Sequence, residues 1–486
     1  MLRRKMTQGA KPLTRHLVSI NDLTNKEIES VFDIANAYLD ELGDRQLKYR
    51  IGRGKRIASD YILATLFFEP STRTRLSFES AMLRLGGSII TSADPATSSA
   101  AKGESLADSV RVVGNYADLL VIRHPRDGAA RLAADYAMVP VINGGDGSHE
   151  HPTQTLCDLF TLRQKHNSIK NLKVAISGDL KGSRTIHSFV YALARFGAII
   201  EPMPAPGMEL PPHVDRRLRE EFPSKIVPRP LEQGKAHIDV LYVTSDQPHQ
   251  PSLFSGPEIE NERIVIEKKI DAVYVTRFQK ERWTEKDVPY PKIDATFLKN
   301  AKYSEASVMH PLPRVGELDA SVDSDIRAIY FQQAAFGVPV RMALISMLLG
   351  LHQRKLRRFE FGFQRDRLPA YNQPKSLGVQ CCNPNCIVHE PSESQYVRNK
   401  FHVLHTAASH ESFLRCAYCE TDLDEFVSAN KRSMWYSIDK NLLSNSNNNS
   451  FRDMLAFATE EEARKAGFHL RKSTRHSATT QKASAR

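Results

Sequence analysis

Hydroxyl and guanidinium side chains cluster at the start of one predicted helix, in the stretch FFEPSTRTRLSFE. Four of them follow directly on an apolar run: Ser71, Thr72, Arg73 and Thr74. Backbone N–H groups at a helix start lack intrahelical partners, and the helix dipole disfavours a cation there. An arginine is favourable at that position when an anion binds beside it. The stretch therefore predicts a phosphate site, and the alternative is a capped helix whose arginines pair with Glu69 and Glu79.

Other candidate residues lie in loops and at a helix entrance. The small-residue stretch SSAAKGES contains Ser98 and Lys102 and is suited to a mobile loop that delivers a cation, with a plain surface loop as the alternative. His151 precedes a proline and a predicted helix, where the dipole favours a neutral imidazole that donates to a carbonyl oxygen. A buried histidine without a chemical role is the alternative for His151.

Three further motifs follow strand-like runs, where the ligand-binding loops of open α/β sheets gather. GDLKGSRT and VTRFQKER contain Arg184, Arg277 and Gln279, which offer two guanidinium groups and an amide to a small dicarboxylate. In HPLPR, prolines on both sides of Leu312 stiffen a loop whose carbonyl groups can accept hydrogen bonds. These motifs predict an amino-acid site beside the anion site.

Cysteine spacing predicts a metal site near the C-terminus. Five of the six cysteines follow residue 380, in the pairs Cys381-x4-Cys386 and Cys416-x2-Cys419. Two chelating pairs about thirty residues apart are typical of a four-thiolate zinc site. Cys382 could replace Cys381. The clustering favours a metal over disulfides, since the basic stretch MLRRKM is not followed by the apolar run of a secretory signal.

The elements that must position these residues follow an α/β pattern up to residue 352. Short apolar runs such as YILATLFF, DLLVIRH and LKVAISG read as buried strands. Helical patterns lie between them, at residues 72–85, 153–165 and 185–196, and a closing helix is predicted over 331–352. The alternation predicts mostly parallel sheets, and the helix over 153–165 bridges two α/β halves.

Composition restricts the class of protein. Hydrophobic residues make up 41% of the chain and charged residues 25%, as in a soluble globular protein. No apolar run approaches the about 18 residues of a membrane span, so no membrane partner is expected and the cytoplasm is predicted. More than half of the net charge of +11 follows residue 352. Nucleic acid is not an expected partner, because no binding motif accompanies that charge.

The order of these motifs resembles that of aspartate carbamoyltransferase catalytic chains. FFEPSTRTRLSFE, VIRHP, HPTQTLCDLFTL, GDLKGSRT, VTRFQKER and HPLPR carry the resemblance over residues 17–351. It implies two parallel-sheet lobes, a carbamoyl-phosphate lobe (1–152) and an aspartate lobe (153–335), and a closing helix (336–352). CCNPNC and RCAYCE resemble the zinc domain of the aspartate carbamoyltransferase regulatory chain. A linker (353–377), a small β-rich four-cysteine zinc domain (378–430) and an extension with a short helix and a disordered basic tail (431–486) follow.

The resemblance implies a reaction and a role for each matching residue. The carbamoyl group passes from carbamoyl phosphate to L-aspartate, the committed step of de novo pyrimidine biosynthesis, without a catalytic cofactor. Catalytic roles fall on Arg73, Thr74, Lys102, Arg123 and His151. Carbamoyl phosphate is bound by these five together with Ser71, Thr72, Ser98, Gln154, Leu312 and Pro313. Aspartate is bound by Lys102, Arg184, Arg277, Gln279 and Leu312.

The resemblance also implies an assembly. Ser98 and Lys102 reach into the neighbouring subunit, so that each active site needs a homotrimer. The zinc domain, with one zinc per chain, follows the catalytic part without room for the nucleotide-binding domain of regulatory chains. We expect it to stabilise a trimer or a pair of trimers, and a separate regulatory chain remains an open option.

Two alternatives stay open on the sequence alone. One is ornithine or another amine as the acceptor, since the STRTR motif is shared with ornithine carbamoyltransferases. The other is a catalytically weak scaffold subunit. A further departure is a repeat: IDVLYVTSDQ and IDAVYVTRFQ read as two copies of one strand end, separated by an apparent insertion over residues 244–270. The second copy contains Arg277 and is the predicted ligand loop.

Overall fold

The computed structural model describes residues 15–46, 56–92, 102–166, 168–227, 234–236, 238–244, 264–266, 269–277, 292–352, 370–373, 378–406, 412–438 and 454–471. The predicted site residues Ser98 and Gln279 lie outside these ranges, as do most of the predicted linker and the basic tail after residue 471. The chain forms two compact units. The first comprises Met1–Arg365 with Pro384–Val397, and the second comprises Asp366–Asn383 with Arg398–Arg486.

The first parallel sheet has the strand order β2-β1-β3-β4. Its strands are β1 (Ile62–Phe67), β2 (Ser88–Ser92), β3 (Leu119–His124) and β4 (Val141–Asp146). The associated helices are α1 (Asn25–Gln46), α2 (Thr72–Arg84), α3 (Leu106–Val113), α4 (Ala129–Tyr136) and α5 (Pro152–His166). Strands β1, β3 and β4 are buried along nearly their whole length. This burial explains the apolar runs of β1 and β3, whereas β4 is apolar only at its first two residues.

The second parallel sheet has the strand order β11-β10-β8-β5-β6. Its strands are β5 (Lys173–Gly178), β6 (Ile199–Pro204), β8 (Val240–Val243), β10 (Ala272–Val275) and β11 (Ser307–Met309). Two further strands, β7 (Gly234–Ala236) and β9 (Ile264–Ile266), form a separate parallel pair. Its helices are α6 (Arg184–Arg195) and α7 (Pro212–Glu221). The two repeated strand ends, β8 and β10, are neighbours in one sheet, with Tyr242 paired to Tyr274. The insertion over residues 244–270 therefore separates two neighbouring strands of the sheet and contains β9, which pairs with β7.

Helix α8 (Tyr330–Leu348) connects the two parts of the first unit. It packs against α1, α2 and α5, and almost every side chain in its second half is buried. This all-round burial explains its nearly uncharged sequence. Among the described residues, no helix combines the length and the hydropathy that crossing a bilayer would require.

The second unit is rich in β-structure. An antiparallel sheet contains β12 (Ala370–Gln373), β13 (Asn399–His405), β14 (Ser412–Cys416) and β15 (Asp422–Leu423). A second sheet contains β16 (Val427–Asn430), β17 (Trp435–Ser437), β18 (Met454–Phe457) and β19 (His469–Leu470), with α9 (Glu460–Lys465) beside it. The predicted fold class, two parallel-sheet α/β lobes followed by a β-rich domain, is confirmed.

After residue 430 the chain has more secondary structure than the sequence predicted. The predicted short helix is α9, with Thr459 as its N-cap and Gly467 in the left-handed region (φ 88°) after its end. The strands around it were not predicted. They bury a small core that includes Tyr436, Phe457 and Phe468. Short strands of two to four residues carry too little alternation to be found by pattern.

Candidate active site and metal centre

A cavity of about 780 Å³ lies in the first unit, where strands of both parallel sheets end. Its walls come from the loops that follow β1, β3, β4, β5, β10 and β11. Carboxyl ends of parallel strands meet at one edge of each sheet, which is where open α/β folds bind ligands. The predicted site residues that line it are Ser71, Thr72, Arg73, Thr74, Arg123, His151, Gln154, Arg184, Arg277, Leu312 and Pro313.

The start of α2 leaves its polar groups available to a ligand. Ser71 is the N-cap residue, but its side chain makes no capping hydrogen bond, and the first turn contains no acidic residue. Arg75 pairs with Glu79 at 3.8 Å, whereas Arg73 has no carboxylate partner among the described residues. The capped-helix alternative required both arginines to be paired. The geometry instead fits an anion site, since unsatisfied N–H groups, hydroxyls and a guanidinium share one wall.

Cations crowd this cavity. Burial and the nearby Arg277 guanidinium lower the pKa of Arg73. Burial and the charge of Arg184 lower the pKa of Arg123 to about 10. Burial first, and then the neighbouring cations, disfavour the charged form of these two arginines, and a bound anion would offset that free-energy cost. The cavity therefore favours anionic ligands.

Glu69 lies between two of these cations. Its carboxylate is 3.3 Å from Arg123 Nη2 and 3.1 Å from Arg184 Nη1. Burial favours the protonated acid, but the two guanidinium groups outweigh it and hold the pKa of Glu69 below its ordinary value. Arg184 Nη1 also donates to the Gly147 carbonyl at 2.7 Å. Sequence reasoning considered Glu69 only as a partner of the α2 arginines, because Arg184 is 115 positions away.

His151 is held as a neutral hydrogen-bond donor at the start of α5. It is 5% exposed, and burial together with the nearby Arg123 and Arg184 charges lowers its pKa well below the ordinary value. The Gln154 backbone N–H donates to Nδ1 at 3.4 Å. A neutral ring that accepts at Nδ1 carries its proton on Nε2, so His151 can donate toward the cavity. Because its pKa is lowered, the ring does not take up a second proton near neutral pH.

The loop after β11 is fixed from below by a buried histidine. His310 Nδ1 accepts the Leu312 N–H at 2.8 Å, and its Nε2 donates to Glu317 at 2.9 Å. The Gln333 side chain accepts the His310 N–H at 2.9 Å. Leu312 has φ 50°, an uncommon conformation for a non-glycine residue. The sequence predicted a stiff loop from its prolines, but not that His310 anchors it.

A buried carboxylate that the sequence did not single out joins three elements beneath the cavity. Asp158 accepts hydrogen bonds of 2.8 Å from the side chains of Gln154, Tyr274 and Gln333. Burial raises its pKa to about 7 against these hydrogen bonds. The Gln154 amide is therefore oriented through its nitrogen, which leaves its oxygen free to accept a hydrogen bond from a ligand.

Lys102 is not brought to the cavity of its own chain. It lies in an exposed turn before α3 and is absent from the cavity wall. A residue that sequence reasoning placed in the metal module, Asn385, does line the cavity. Cys157 also lines it, but burial raises its pKa to about 11, which is typical of an unreactive buried thiol.

The four predicted metal ligands come together. The sulfur atoms of Cys381, Cys386, Cys416 and Cys419 all lie within 4.8 Å of one another, and all four residues are buried. A tetrahedral zinc–thiolate site with bonds of about 2.3 Å requires sulfur separations of this size. Four soft thiolates fit zinc, whereas Cys382 is exposed and outside the cluster.

Comparison with known families assigns the domains. Residues 15–164 match the model "Aspartate/ornithine carbamoyltransferase, carbamoyl-P binding domain", and residues 254–348 match "Aspartate/ornithine carbamoyltransferase, Asp/Orn binding domain". Residues 376–427 match "Aspartate carbamoyltransferase regulatory chain, metal binding domain". The aspartate carbamoyltransferase catalytic subunit of Picrophilus torridus is 44% identical over 340 residues, which cover 69% of this chain and 98% of that protein. This chain belongs to the aspartate carbamoyltransferase family.

Solved structures of this carbamoyltransferase family agree with the fold. The catalytic subunit of M. jannaschii aspartate transcarbamoylase has a TM-score of 0.54 and 39% identity, covering 69% of this chain and 98% of that one. Aspartate transcarbamoylase from Trypanosoma cruzi, solved with carbamoyl aspartate and phosphate, has a TM-score of 0.52 and 32% identity over 68% and 95%. The resemblances predicted from the motifs, to the catalytic chain and to the regulatory-chain zinc domain, are both confirmed.

Proposed function

We propose that this chain transfers the carbamoyl group of carbamoyl phosphate to the amine of L-aspartate, producing N-carbamoyl-L-aspartate and phosphate. The observation that carries the proposal is the part of the cavity wall formed by Ser71–Thr74 at the start of α2, which we call the α2 wall. There Arg73 has no carboxylate partner among the described residues, and the Ser71 side chain makes no capping hydrogen bond. The relative solved with carbamoyl aspartate and phosphate supports the same chemistry.

The proposed mechanism relies on positioning and preorganised charge. The α2 wall holds the phosphate group, while Thr74, Arg123 and His151 donate hydrogen bonds to the carbamoyl oxygen. As the aspartate amine attacks the carbamoyl carbon, negative charge develops on that oxygen, and fixed donors stabilise it without reorganisation. The C–O bond to phosphate then breaks, the attacking nitrogen passes its proton to the departing phosphate, and phosphate leaves the cation-rich wall.

Aspartate fits the second half of the cavity better than ornithine does. Arg184 and Arg277 offer two guanidinium groups, and Arg184 is already matched to a carboxylate through Glu69. The ammonium group that ornithine has in place of a side-chain carboxylate would meet these cations, and the Glu69 carboxylate beside them is already paired with Arg184 and Arg123. Glu69 would have to release Arg184 for aspartate to bind. Gln279, predicted for the same half, lies outside the described residues.

The function is tested by supplying labelled carbamoyl phosphate with aspartate or with ornithine. We expect labelled carbamoyl-aspartate, and product from ornithine at least about 10³-fold more slowly, because mismatched buried charges cost several kcal/mol. Product would be measured by chromatography. Turnover of ornithine alone would assign the enzyme to the other branch of the family, and turnover of neither would favour the scaffold alternative.

We further propose that the four-cysteine cluster binds one structural zinc ion per chain and that the working enzyme is a homotrimer. Zinc is supported by the all-thiolate donor set and by the regulatory-chain family match. A trimer, alone or as a pair of trimers, is supported by the position of Lys102 away from its own cavity. A cytoplasmic location fits six cysteines that form no disulfide.

Removal of one cluster thiol should abolish metal binding. We expect Cys386→Ser to lose nearly all bound zinc and Cys382→Ser to keep one ion per chain, since only Cys386 belongs to the cluster. The metal would be quantified by mass spectrometry of the purified chain. Equal zinc content in the two variants would show that the cluster is not the binding site.

A further inference from the structure

Pro384–Val397, which we call the docking segment, belongs to the compact unit of the catalytic residues although the metal-domain match includes it. It pairs with the loop after β3: the Asp127 N–H donates to the Asn385 carbonyl at 3.1 Å, and the Ile387 N–H donates to the Asp127 carbonyl at 2.9 Å. The Arg126 guanidinium lies 2.8 Å from Glu390. The segment is therefore bonded to the first parallel-sheet lobe along its length.

Glu393 makes the most buried of these contacts. The residue is 2% exposed, and its carboxylate accepts the backbone N–H groups of Leu106 and Ala107. Those are the first two residues of α3, whose N–H groups have no partner within the helix. A carboxylate there is also favoured by the helix dipole. The docking segment thus supplies a cap for α3 from 286 positions further along the chain.

A second contact holds the same helix. The Tyr396 hydroxyl donates to Asp108 at 2.7 Å, and the Tyr136 hydroxyl donates to the Tyr396 carbonyl at 2.7 Å. The Arg111 guanidinium lies over both tyrosine rings, 4.5 and 5.2 Å from their centroids. The docking segment therefore fixes both the direction and the first turn of α3.

Lys102 lies four positions before α3 begins, in an exposed turn with Gly103 at φ 87°. The segment that contains Lys102 is joined directly to the first helical turn of α3, which the docking segment holds in place. We infer that Glu393 is a positioning residue for Lys102: by capping α3 it sets where the Lys102 ammonium group is presented to an active site. This inference rests on the proposed function, because that function gives Lys102 its role.

The test compares Glu393→Ala with Glu390→Ala, a carboxylate of the same segment that contacts Arg126 instead. Hydrogen exchange, measured without substrate, should be about 10-fold faster in the first turn of α3 for Glu393→Ala only, as follows from losing a capping interaction. Carbamoyl phosphate should protect Lys102 from trinitrobenzenesulfonate in Glu390→Ala but not in Glu393→Ala. kcat/KM should fall about 10-fold in Glu393→Ala, and Glu393→Gln, which keeps an acceptor oxygen, should recover most of it.

Faster exchange with unchanged Lys102 protection and kinetics would overturn the inference and leave Glu393 a purely structural cap. Unchanged exchange would overturn it as well. If the alanine variant does not fold, Glu393→Asp replaces it in the test, because it keeps the charge but has a shorter side chain. We expect it to change hydrogen exchange, Lys102 protection and kcat/KM in the same directions but by smaller factors. If the unaltered protein fails to carbamoylate aspartate, the proposed function fails, whereas the exchange result still reports on the cap.

Discussion

Replacing Arg73 by alanine is expected to lower kcat/KM for carbamoyl phosphate about 10³-fold, or ~4 kcal/mol of transition-state stabilisation. Arg73 lines the cavity beside Ser71, whose side chain makes no capping hydrogen bond. Burial and the Arg277 charge lower the pKa of Arg73. The transferred group leaves as phosphate, whose charge increases as the bond breaks. A guanidinium fixed beside the leaving oxygens therefore stabilises the transition state more than the ground state.

Arg75→Ala is the matched control for this prediction. Arg75 belongs to the same helix and has the same side chain, but it pairs with Glu79 and lies outside the cavity wall. We expect it to reduce kcat/KM by less than about 10-fold, the scale of a partly exposed ion pair. Steady-state kinetics at saturating aspartate would measure both. Equal losses in the two variants would mean that α2 contributes through its stability and not through an anion site.

Arg73→Lys separates charge from geometry. Lysine keeps the positive charge but loses the planar fork that can bind two phosphate oxygens at once. We expect kcat/KM between those of the alanine variant and the unaltered protein. Full activity in Arg73→Lys would indicate that a point charge suffices.

The sequence predicted those parts of the site whose signals are local. Residues 71–74 predicted both a helix start and a phosphate site, because a strand, a cap residue and an arginine occur within one short stretch. Arg277 and Leu312 were found because parallel strands deliver their following loops to a common edge. These residues line one cavity in the structure, and their roles remain proposals.

The residues that were missed act through contacts between distant segments. Glu69 pairs with Arg184 across 115 positions, and Asp158 meets Gln333 across 175. Nothing in the neighbouring sequence marks Glu69 or Asp158, since a carboxylate inside a motif can equally serve a local ion pair. Asn385 was read only as a spacer between metal-site cysteines, yet its amide donates to Asp127 at 2.8 Å. Such pairings depend on the fold and have no periodicity for a pattern to detect.

The repeated strand end provides the second large prediction. In the sheet β8 and β10 are parallel neighbours with Val243 opposite Val275, so the two copies end at the same level. Thr276 and Arg277, which follow β10, line the cavity, while Thr244, which follows β8, does not. Among the described residues, only the end of the second copy lines the cavity. Only the second copy is expected to bind aspartate.

Arg277→Ala should therefore lower kcat/KM for aspartate about 10²- to 10³-fold, or about 3–4 kcal/mol, because a substrate carboxylate would be left without its partner in a largely desolvated site. Binding of carbamoyl phosphate should change by less than about 3-fold, since α2 retains its own donors. Steady-state kinetics with aspartate and isothermal titration with carbamoyl phosphate measure the two effects separately. A comparable loss in carbamoyl phosphate binding would place Arg277 in the anion site instead.

The double variant Ser245→Arg/Arg277→Ala tests the choice between the copies. Position 245 in VTSDQ corresponds to Arg277 in VTRFQ, so the substitution supplies the missing arginine after β8. We expect no recovery of aspartate turnover, because an arginine after β8 would start about 4.8 Å, one strand spacing, from the position of Arg277 after β10, and the described end of β8 does not line the cavity. Recovery to within about 10-fold of the unaltered protein would show that either loop can bind aspartate. The repeat would then include the ligand loop and not only the strand end.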